Sequence, residues 1–430
     1  MKAYAAYVDR LERLLLDSSQ TSELIHKAAI EAALDGQPSA ELRRCISIAR
    51  LRSAGAFFTG SSMARRAIET GLGKLPGDAK VLDPACGVGD LLVAVTQLLP
   101  WSSDLTSTLA DWSGIILGRD LQPEFVRATK VRLALAAIQR AQFQGALVPG
   151  VRELFPGLTS GCSLTEEELF ESASHIVINP PFTLIPAPQD CEWGSGLVNS
   201  AAVFMDRCVS RSQTGARIVA ILPEVLRSGS RYEKWRKLFE KRVSLAKVDV
   251  IGQFDRHTDV DVFIAVGFLR KPSGRTTSAF NWARPERPSA PTIGEKFDVS
   301  VGPVVPYRDP QRGRWHPFIH ARELPAWSTV ASVSHHRRFA GRTYDSPFVV
   351  VRRTSRPGDK HRAVGTIVNV TKAVAVENHL LVLEPKDRSL AKCKRLVKLL
   401  HDEGTNEMLN RRIRCRHLTV SSLTELPWSE

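Results

Sequence analysis

The sequence predicts an α/β protein. A mostly parallel sheet is flanked by helices and finished by an antiparallel edge hairpin, with N-terminal helices before it and a C-terminal mixed α+β domain after it. Three observations carry this. Between Lys80 and Lys271, short apolar runs alternate with helical patterns, the signature of parallel strands joined by crossover helices. The last two runs, "AKVDVIGQF" and "DVFIAVGFLRK", are separated only by "DRHTDV", and strands so close in sequence pair antiparallel. The chain's 430 residues exceed one ordinary core, which leaves room for a second domain.

Each element follows in order. Residues 1–50 read as two or three helices: Leu11, Leu14 and Leu15 sit at helical spacing, and "SELIHKAAIEAAL" repeats the pattern. "SAGAFFTGSSMARRAI" leads into a helix starting near Ser61. "KVLDPACGVGDLLVAV" is a strand, a glycine turn and a helix, and "GIILGRDLQPEFVRATKVRLALAAIQRA" is a strand, an acidic turn and a long helix. "HIVINPPF", His175–Phe182, is a strand that stops on an amide and two prolines. "ARIVAILPEVLRSGSRYEKWRKLFEKR" adds a strand, a loop and a helix. Residues 273–291, rich in Pro, Ser and Arg, read as a linker. Residues 292–430 carry short β-like runs ("SPFVVVRR", "GTIVNV", "ENHLLVLEP"), the helix "SLAKCKRLVKLLHDE" and a helical turn near "NEMLNRR". The expected organisation is therefore a helical segment 1–50, a main domain 51–272, the linker 273–291 and a second domain 292–430.

Bulk properties narrow the classes. Hydrophobic residues make up 43% and charged residues 24%, as in globular proteins. No apolar run approaches bilayer length, so no membrane is expected. The opening "MKAYAAYVDRLERLLLDSS" has acids inside its apolar pattern and reads as an amphipathic helix rather than a signal peptide. Seven scattered cysteines without a CxxC pair indicate a reducing, cytoplasmic setting. His379, Cys393, Cys415 and His417 match no standard zinc spacing, so no metal is expected. An excess of 59 Lys and Arg over 45 Asp and Glu, a net +14, favours a polyanionic partner.

The turn "DPACGVGD", Asp83–Asp90, lies where open α/β sheets bind nucleotide-like ligands. Gly87 and Gly89 let the backbone approach a ligand closely. Asp83 suits a cationic amine. The Lys and Ser/Thr of a phosphate loop do not follow the glycines, which disfavours a phosphate cradle. Asp120, ending the second strand, can accept ribose hydroxyls or cap the helix at Pro123, and one residue can do both. The residues before Ser61 prepare either an anion-binding helix start or a hydrophobic staple. In "HIVINPPF" two prolines fix φ and remove two donors. The result is a stiff corner, either a plain strand-to-loop turn or a means of holding two acceptors still.

Together these stretches resemble the class I S-adenosylmethionine-dependent methyltransferases. More narrowly, they resemble the DNA adenine-N6 methyltransferases of restriction–modification systems in which the cofactor loop precedes the catalytic motif and target recognition is C-terminal. The likeness spans roughly Gly55 to Lys271. "GAFFTG" resembles the family's first motif, which usually ends Thr-Pro; here Gly60 replaces the proline. "LDPACGVGDLL" is similar to the cofactor loop, "GRDLQP" to the ribose-binding motif, "INPPF" to the catalytic motif and "DVDVFIAVGFL" to the closing hairpin. The resemblance implies a Rossmann-like methyltransferase sheet and S-adenosyl-L-methionine as cofactor, bound by Phe58, Thr59, Asp83, Pro84, Ala85, Gly87, Gly89, Asp120 and Leu121. It assigns catalysis to Asn179, Pro180, Pro181 and Phe182, and implies double-stranded DNA as substrate. A cognate restriction endonuclease, where one accompanies it, would be a separate chain. The acid that usually precedes the catalytic strand is missing: Cys162 or Ser163 falls there, and Glu166 is the neighbour able to replace it.

Such a corner suits the chemistry. An exocyclic amine is a poor nucleophile because its lone pair is delocalised into the ring. Two acceptors on its hydrogens, Asn179 Oδ1 and the Pro180 carbonyl, favour a more tetrahedral nitrogen. Pro181 stiffens the corner, and Phe182 offers a face for an extruded base. Asn as first residue tilts the target to adenine over cytosine N4. The tetrapeptide also resembles motifs acting on protein glutamine or RNA guanine, so it specifies a planar amine. The polymer is argued from the basic clusters "HHRRFAGR", "RRTSRPGDKHR" and "NRRIRCRH", where Arg337, Arg338, Arg352, Arg353, Arg412 and Arg414 are the candidate DNA contacts. The rival expectations are a methyltransferase of RNA or protein and a DNA-binding module with a decayed cofactor pocket.

Overall fold

The computed structural model describes residues 2–20, 26–141, 150–166, 168–255, 257–258, 260–271, 282 and 290–428. The chain divides into two units, Met1–Leu226 with Arg231–Phe280, and Arg227–Ser230 with Asn281–Glu430. Most of the linker expected at 273–291 lies outside the described residues. Among the described residues no helix is long and apolar enough to cross a membrane.

The elements before residue 280 run α1 (Lys2–Gln20), α2 (Lys27–Leu34), α3 (Gln37–Cys45), α4 (Ile48–Ala54), α5 (Ser61–Gly71), β1 (Val81–Asp83), α6 (Asp90–Val95), α7 (Leu105–Ile115), β2 (Ile116–Asp120), α8 (Pro123–Ala141) and β3 (Leu158–Ser160). They continue with α9 (Glu168–Glu171), β4 (His175–Ile178), β5 (Leu184–Pro186), β6 (Leu197–Asn199), α10 (Ser200–Arg211), β7 (Arg217–Pro223), α11 (Glu224–Ser228), α12 (Glu233–Arg242), β8 (Val243–Gln253) and β9 (Asp261–Leu269).

Seven strands form one sheet in the order β3-β2-β1-β4-β7-β9-β8. The first five are parallel, and β9 pairs antiparallel with both β7 and β8. This is the mostly parallel sheet with an antiparallel edge hairpin that the sequence predicts. Val81, Val177, Val219 and Val266 face one core, and the intervening Leu82, Ile176, Ile178, Ala220 and Ala265 are equally buried. Residues alternate across a strand, so both faces are covered, and the strands read as continuous apolar runs. The N-terminal helices share that first core: Tyr4, Tyr7, Val8 and Leu11 join Val131, Leu135 and Ile138 of α8. Because β1 and β4 are parallel neighbours, the turn after one and the corner after the other leave the sheet side by side.

The second unit contains α13 (Ile293–Lys296), β10 (Phe297–Val301), β11 (Arg314–Ile319), β12 (Thr329–Val330), β13 (His336–Phe339), β14 (Phe348–Arg352), β15 (Gly365–Val368), β16 (Ala375–Val376), β17 (Leu380–Pro385), α14 (Leu390–His401), α15 (Glu403–Arg412) and α16 (Val420–Thr424). A five-stranded sheet has the order β10-β17-β14-β15-β12, and a three-stranded one β13-β11-β16. Val349, Val351, Leu381 and Leu383 pack with Leu396, Leu400 and Leu409 of the helices, while Val350, Val382 and Leu380 pack with Ile319, Tyr344 and Val376. The larger sheet is thus sandwiched between helices and strands, the mixed α+β arrangement expected.

Candidate active site

β4 is buried along its whole length, and Asn179 follows its last residue. Asn179 Nδ2 donates to Thr59 Oγ1 at 2.9 Å, whereas its Oδ1 is buried and finds no hydrogen-bond partner among the described residues. A buried acceptor without a donor costs about 1–3 kcal/mol, so the orphan calls for an explanation. The rest of the corner is held firmly. Pro180 is buried, Ser200 Oγ donates to the Pro181 carbonyl, and Thr183 N donates to Ser200 Oγ at 3.1 Å. Phe182 is half-buried and meets Phe254 edge to face at 5.8 Å. Gly55 (φ +62°) passes so close that a Cβ there would lie 3.0 Å from Phe182 N and 2.8 Å from Thr183 Cγ2.

The glycine turn lies beside this corner. Asp83, 2% exposed, ends β1, and its Oδ1 accepts the Ala85 N–H at 3.1 Å. Burial pushes this carboxyl up to about 8, with the nearby Asp120 and Asp90 adding to the rise. Pro84 is buried behind it. Gly87 (φ +54°) donates to Asp120 Oδ2 at 3.0 Å, and Gln122 N donates to Oδ1 at 2.9 Å. Asp120 therefore shapes its own turn and fastens the first turn to the second. Burial raises its carboxyl, against the pull of these two N–H groups. Leu121 beside it is 66% exposed. Gly89 (φ +84°) starts α6, and a Cβ there would meet Thr129 Cγ2 at 2.6 Å. Phe58 lies against Gly87 and stacks edge to face on Phe125 at 5.0 Å.

One part of the site escaped the sequence reading. Arg132, fully buried in α8, pairs with Asp90 Oδ1 at 2.8 Å. It also donates to the carbonyls of Ala33 (2.8 Å), Leu34 (3.1 Å) and Val88. The other oxygen of Asp90 accepts Gly60 N at 2.7 Å. This network ties α2, the glycine turn and the "FFTG" segment together. It also accounts for Gly60: φ +75° is closed to proline, and proline has no N–H for Asp90. The signal in the sequence was an arginine on the apolar side of "KVRLALAAI".

Ser163 is buried and donates to the Pro84 carbonyl at 2.6 Å, so it braces the glycine turn. Glu166 forms an ion pair with Arg119. Among the described residues no cluster of His, Cys, Asp or Glu is placed to hold a metal ion.

The six arginines singled out in the second unit have different surroundings. Arg337 and Arg412 are buried. Arg337 donates to the Pro306 and Asp309 carbonyls, and Arg412 pairs with Glu425 at 2.6 Å. Arg352 donates to the Leu324 carbonyl at 2.6 Å and Arg353 to that of Leu418 at 3.4 Å. Arg414 is half-buried and Arg338 exposed. Burial gives Arg337 and Arg412 a supporting place in the fold rather than a free face for phosphate.

No protein-family model matches the sequence, and no curated protein does. Among solved structures, the chain is similar to the Type IIL restriction-modification enzyme MmeI, solved in complex with DNA: 11% identity and TM-score 0.50, over 91% of this chain and 67% of that one. It is also similar to a Listeria monocytogenes protein assigned as a class I S-adenosylmethionine-dependent methyltransferase (15% identity, TM-score 0.40, 64% of this chain and 83% of that one). A third is the modification subunit of an assigned type I restriction enzyme from Vibrio vulnificus YJ016 (16% identity, TM-score 0.39, 56% and 53%). The chain spans about half the length of this last subunit. What the chain shares with the first of these, at 11% identity, is the fold.

Proposed function

We propose that the chain transfers a methyl group from S-adenosyl-L-methionine to the N6 amine of an adenine flipped out of double-stranded DNA, within a specific sequence. The observation that carries this reading is Asn179: its Nδ2 is tethered to Thr59 and its Oδ1 is buried with no donor among the described residues. An N–H of a planar amine supplies the missing donor. The Pro180 carbonyl, fixed by its ring and by Pro181, accepts the second hydrogen. With both hydrogens held, the nitrogen lone pair is directed out of the base plane. Phe182 packs against the ring of the base, a contact contributing about 1–3 kcal/mol.

The residues around the glycine turn fit the cofactor. Asp83 is a buried carboxyl at a strand end, suited to an ammonium. Gly87 and Gly89 give the turn its left-handed bends (φ +54° and +84°), Asp120 retains lone pairs for ribose hydroxyls, and exposed Leu121 offers an apolar surface. When bound, the cofactor supplies an electrophilic methyl on a positive sulfonium, and no metal is called for. The net +14 of the chain suits a DNA substrate.

The test is transfer of labelled methyl to duplex DNA, RNA and protein offered separately. Label in DNA adenine N6 is expected, and label confined to RNA or protein would overturn the reading. One observation favours a second reading, a DNA-binding module without turnover: Ser163 stands in for an acid, and Glu166 is engaged by Arg119. Calorimetry separates the two, since that module would bind no S-adenosylmethionine.

A further inference from the structure

In the second unit β11 and β13 run antiparallel, with Trp315 opposite Arg338 and Pro317 opposite His336. Directly opposed residues share a face, so Trp315, Arg338 and His336 stand together. Trp315 is 59% exposed, and the Arg338 guanidinium lies 5.5 Å from the centre of its ring. The opposite face is consumed by the fold. There Arg337 is buried, lies 5.7 Å from the Phe318 ring, and donates to the carbonyls of Pro306 and Asp309. Those bonds lock the strand pair to the turn 305–309, itself closed by Val305 N donating to Asp309 Oδ2 at 2.7 Å.

The charge on this small sheet is one-sided. Arg308 is paired with Asp309, but Arg312, Arg314 and Arg338 enter no ion pair found among the described residues. An indole left more than half in water contributes little to stability. Placed beneath a guanidinium, it holds a planar five-donor fork in one orientation. A rigid two-stranded ribbon that presents such a fork fits the major groove of DNA, where Arg meets the O6 and N7 of guanine bidentately.

We propose that the β11–β13 pair reads the DNA sequence, with Arg338 addressing a base edge and Trp315 fixing the plane of its guanidinium. This rests on the reading of the chain as a DNA methyltransferase, and it names the element that would give that enzyme its specificity. An exposed arginine held over an exposed ring complements a partner that carries both phosphates and base edges.

The test uses the full chain and four variants: Arg338→Ala, Arg338→Lys, Trp315→Ala and Trp315→Phe. Wild-type protein with S-adenosylmethionine is first given genomic DNA from a host lacking adenine methylation, and the modified sites are mapped. Binding to a duplex carrying the mapped site is then compared with binding to a scrambled duplex, with thermal melting as the check on folding. Preference for the site should fall about 10–100-fold in Arg338→Ala, Arg338→Lys and Trp315→Ala, and Trp315→Phe should retain most of it. Full preference in Arg338→Lys would make the side chain a phosphate contact and overturn base reading. Unchanged preference in Arg338→Ala and Trp315→Ala, or a wild type that methylates DNA without sequence preference, would overturn the ribbon's role alone. A wild type that neither methylates nor binds duplex DNA would remove the underlying reading and the ribbon's role with it.

Discussion

Gly60 holds φ +75° and gives its N–H to Asp90. Proline, usual there in the family that the motif resembles, can do neither. Gly60→Pro should therefore destabilise the protein by about 2–4 kcal/mol, measured by denaturant unfolding; a neutral outcome would mean that the bond to Asp90 is dispensable. Asp83 is the second telling residue. Its folded pKa, pushed up to about 8, lies well above the roughly 3.9 of an unfolded aspartate. Below about pH 4 both states hold the proton and the shift has no effect. Between about 4 and about 8 the unfolded chain gives up the proton first, so stability falls as pH rises; above about 8 the loss is complete. Asp83→Asn should accordingly raise the thermal midpoint at pH 8, change it little at pH 4, and weaken S-adenosylmethionine binding at least about tenfold. Melting curves at the two pH values and one binding isotherm check all three. A site residue whose removal stabilises the free protein is one that the fold retains at a cost.

At the scale of elements, α8 does more than cover the sheet, because Arg132 reaches from it to α2, the glycine turn and Asp90. Removing one partner of a buried pair costs about 3–5 kcal/mol, whereas replacing both is much less costly. Arg132→Met should thus be severely destabilised, and Arg132→Met with Asp90→Asn should recover part of the loss in the same unfolding assay. Additive losses would show that the two side chains act independently. Elements were legible in the sequence to the extent that they bury an apolar run between turn signals. β1, β4, β7 and β9 do so; β2 and β8 are only partly buried but still carry an apolar run, and with all six came the order of the turns that build the candidate site. β3 is three residues long and β12 and β16 are two each, too short for any period. β11 and β13 carry Arg, His and Trp in place of an apolar alternation. Charge clusters were legible as clusters only. Whether an arginine such as Arg337 or Arg412 faces water or an acceptor of the protein is decided by tertiary packing, which leaves no local trace.

At the scale of the molecule, the chain joins an α/β unit with a two-turn site to an α+β unit in which an exposed tryptophan lies beneath an exposed arginine. The excess of positive charge, the corner at Asn179 and the Trp315–Arg338 pair are each what the proposed substrate, a base within a charged duplex, would require. The central claim is that Asn179 orients an adenine amine for methyl transfer. Its most direct test is single-molecule sequencing of DNA from a methylation-free host expressing either the wild-type chain or Asn179→Ala, with cofactor affinity measured on both purified proteins. The wild type should leave N6-methyladenine in one sequence context. Asn179→Ala should bind S-adenosylmethionine nearly as well and lose modification by about 100-fold or more. N6-methyladenine undiminished in Asn179→Ala, or a wild type that binds the cofactor and leaves adenine unmodified, would contradict the claim.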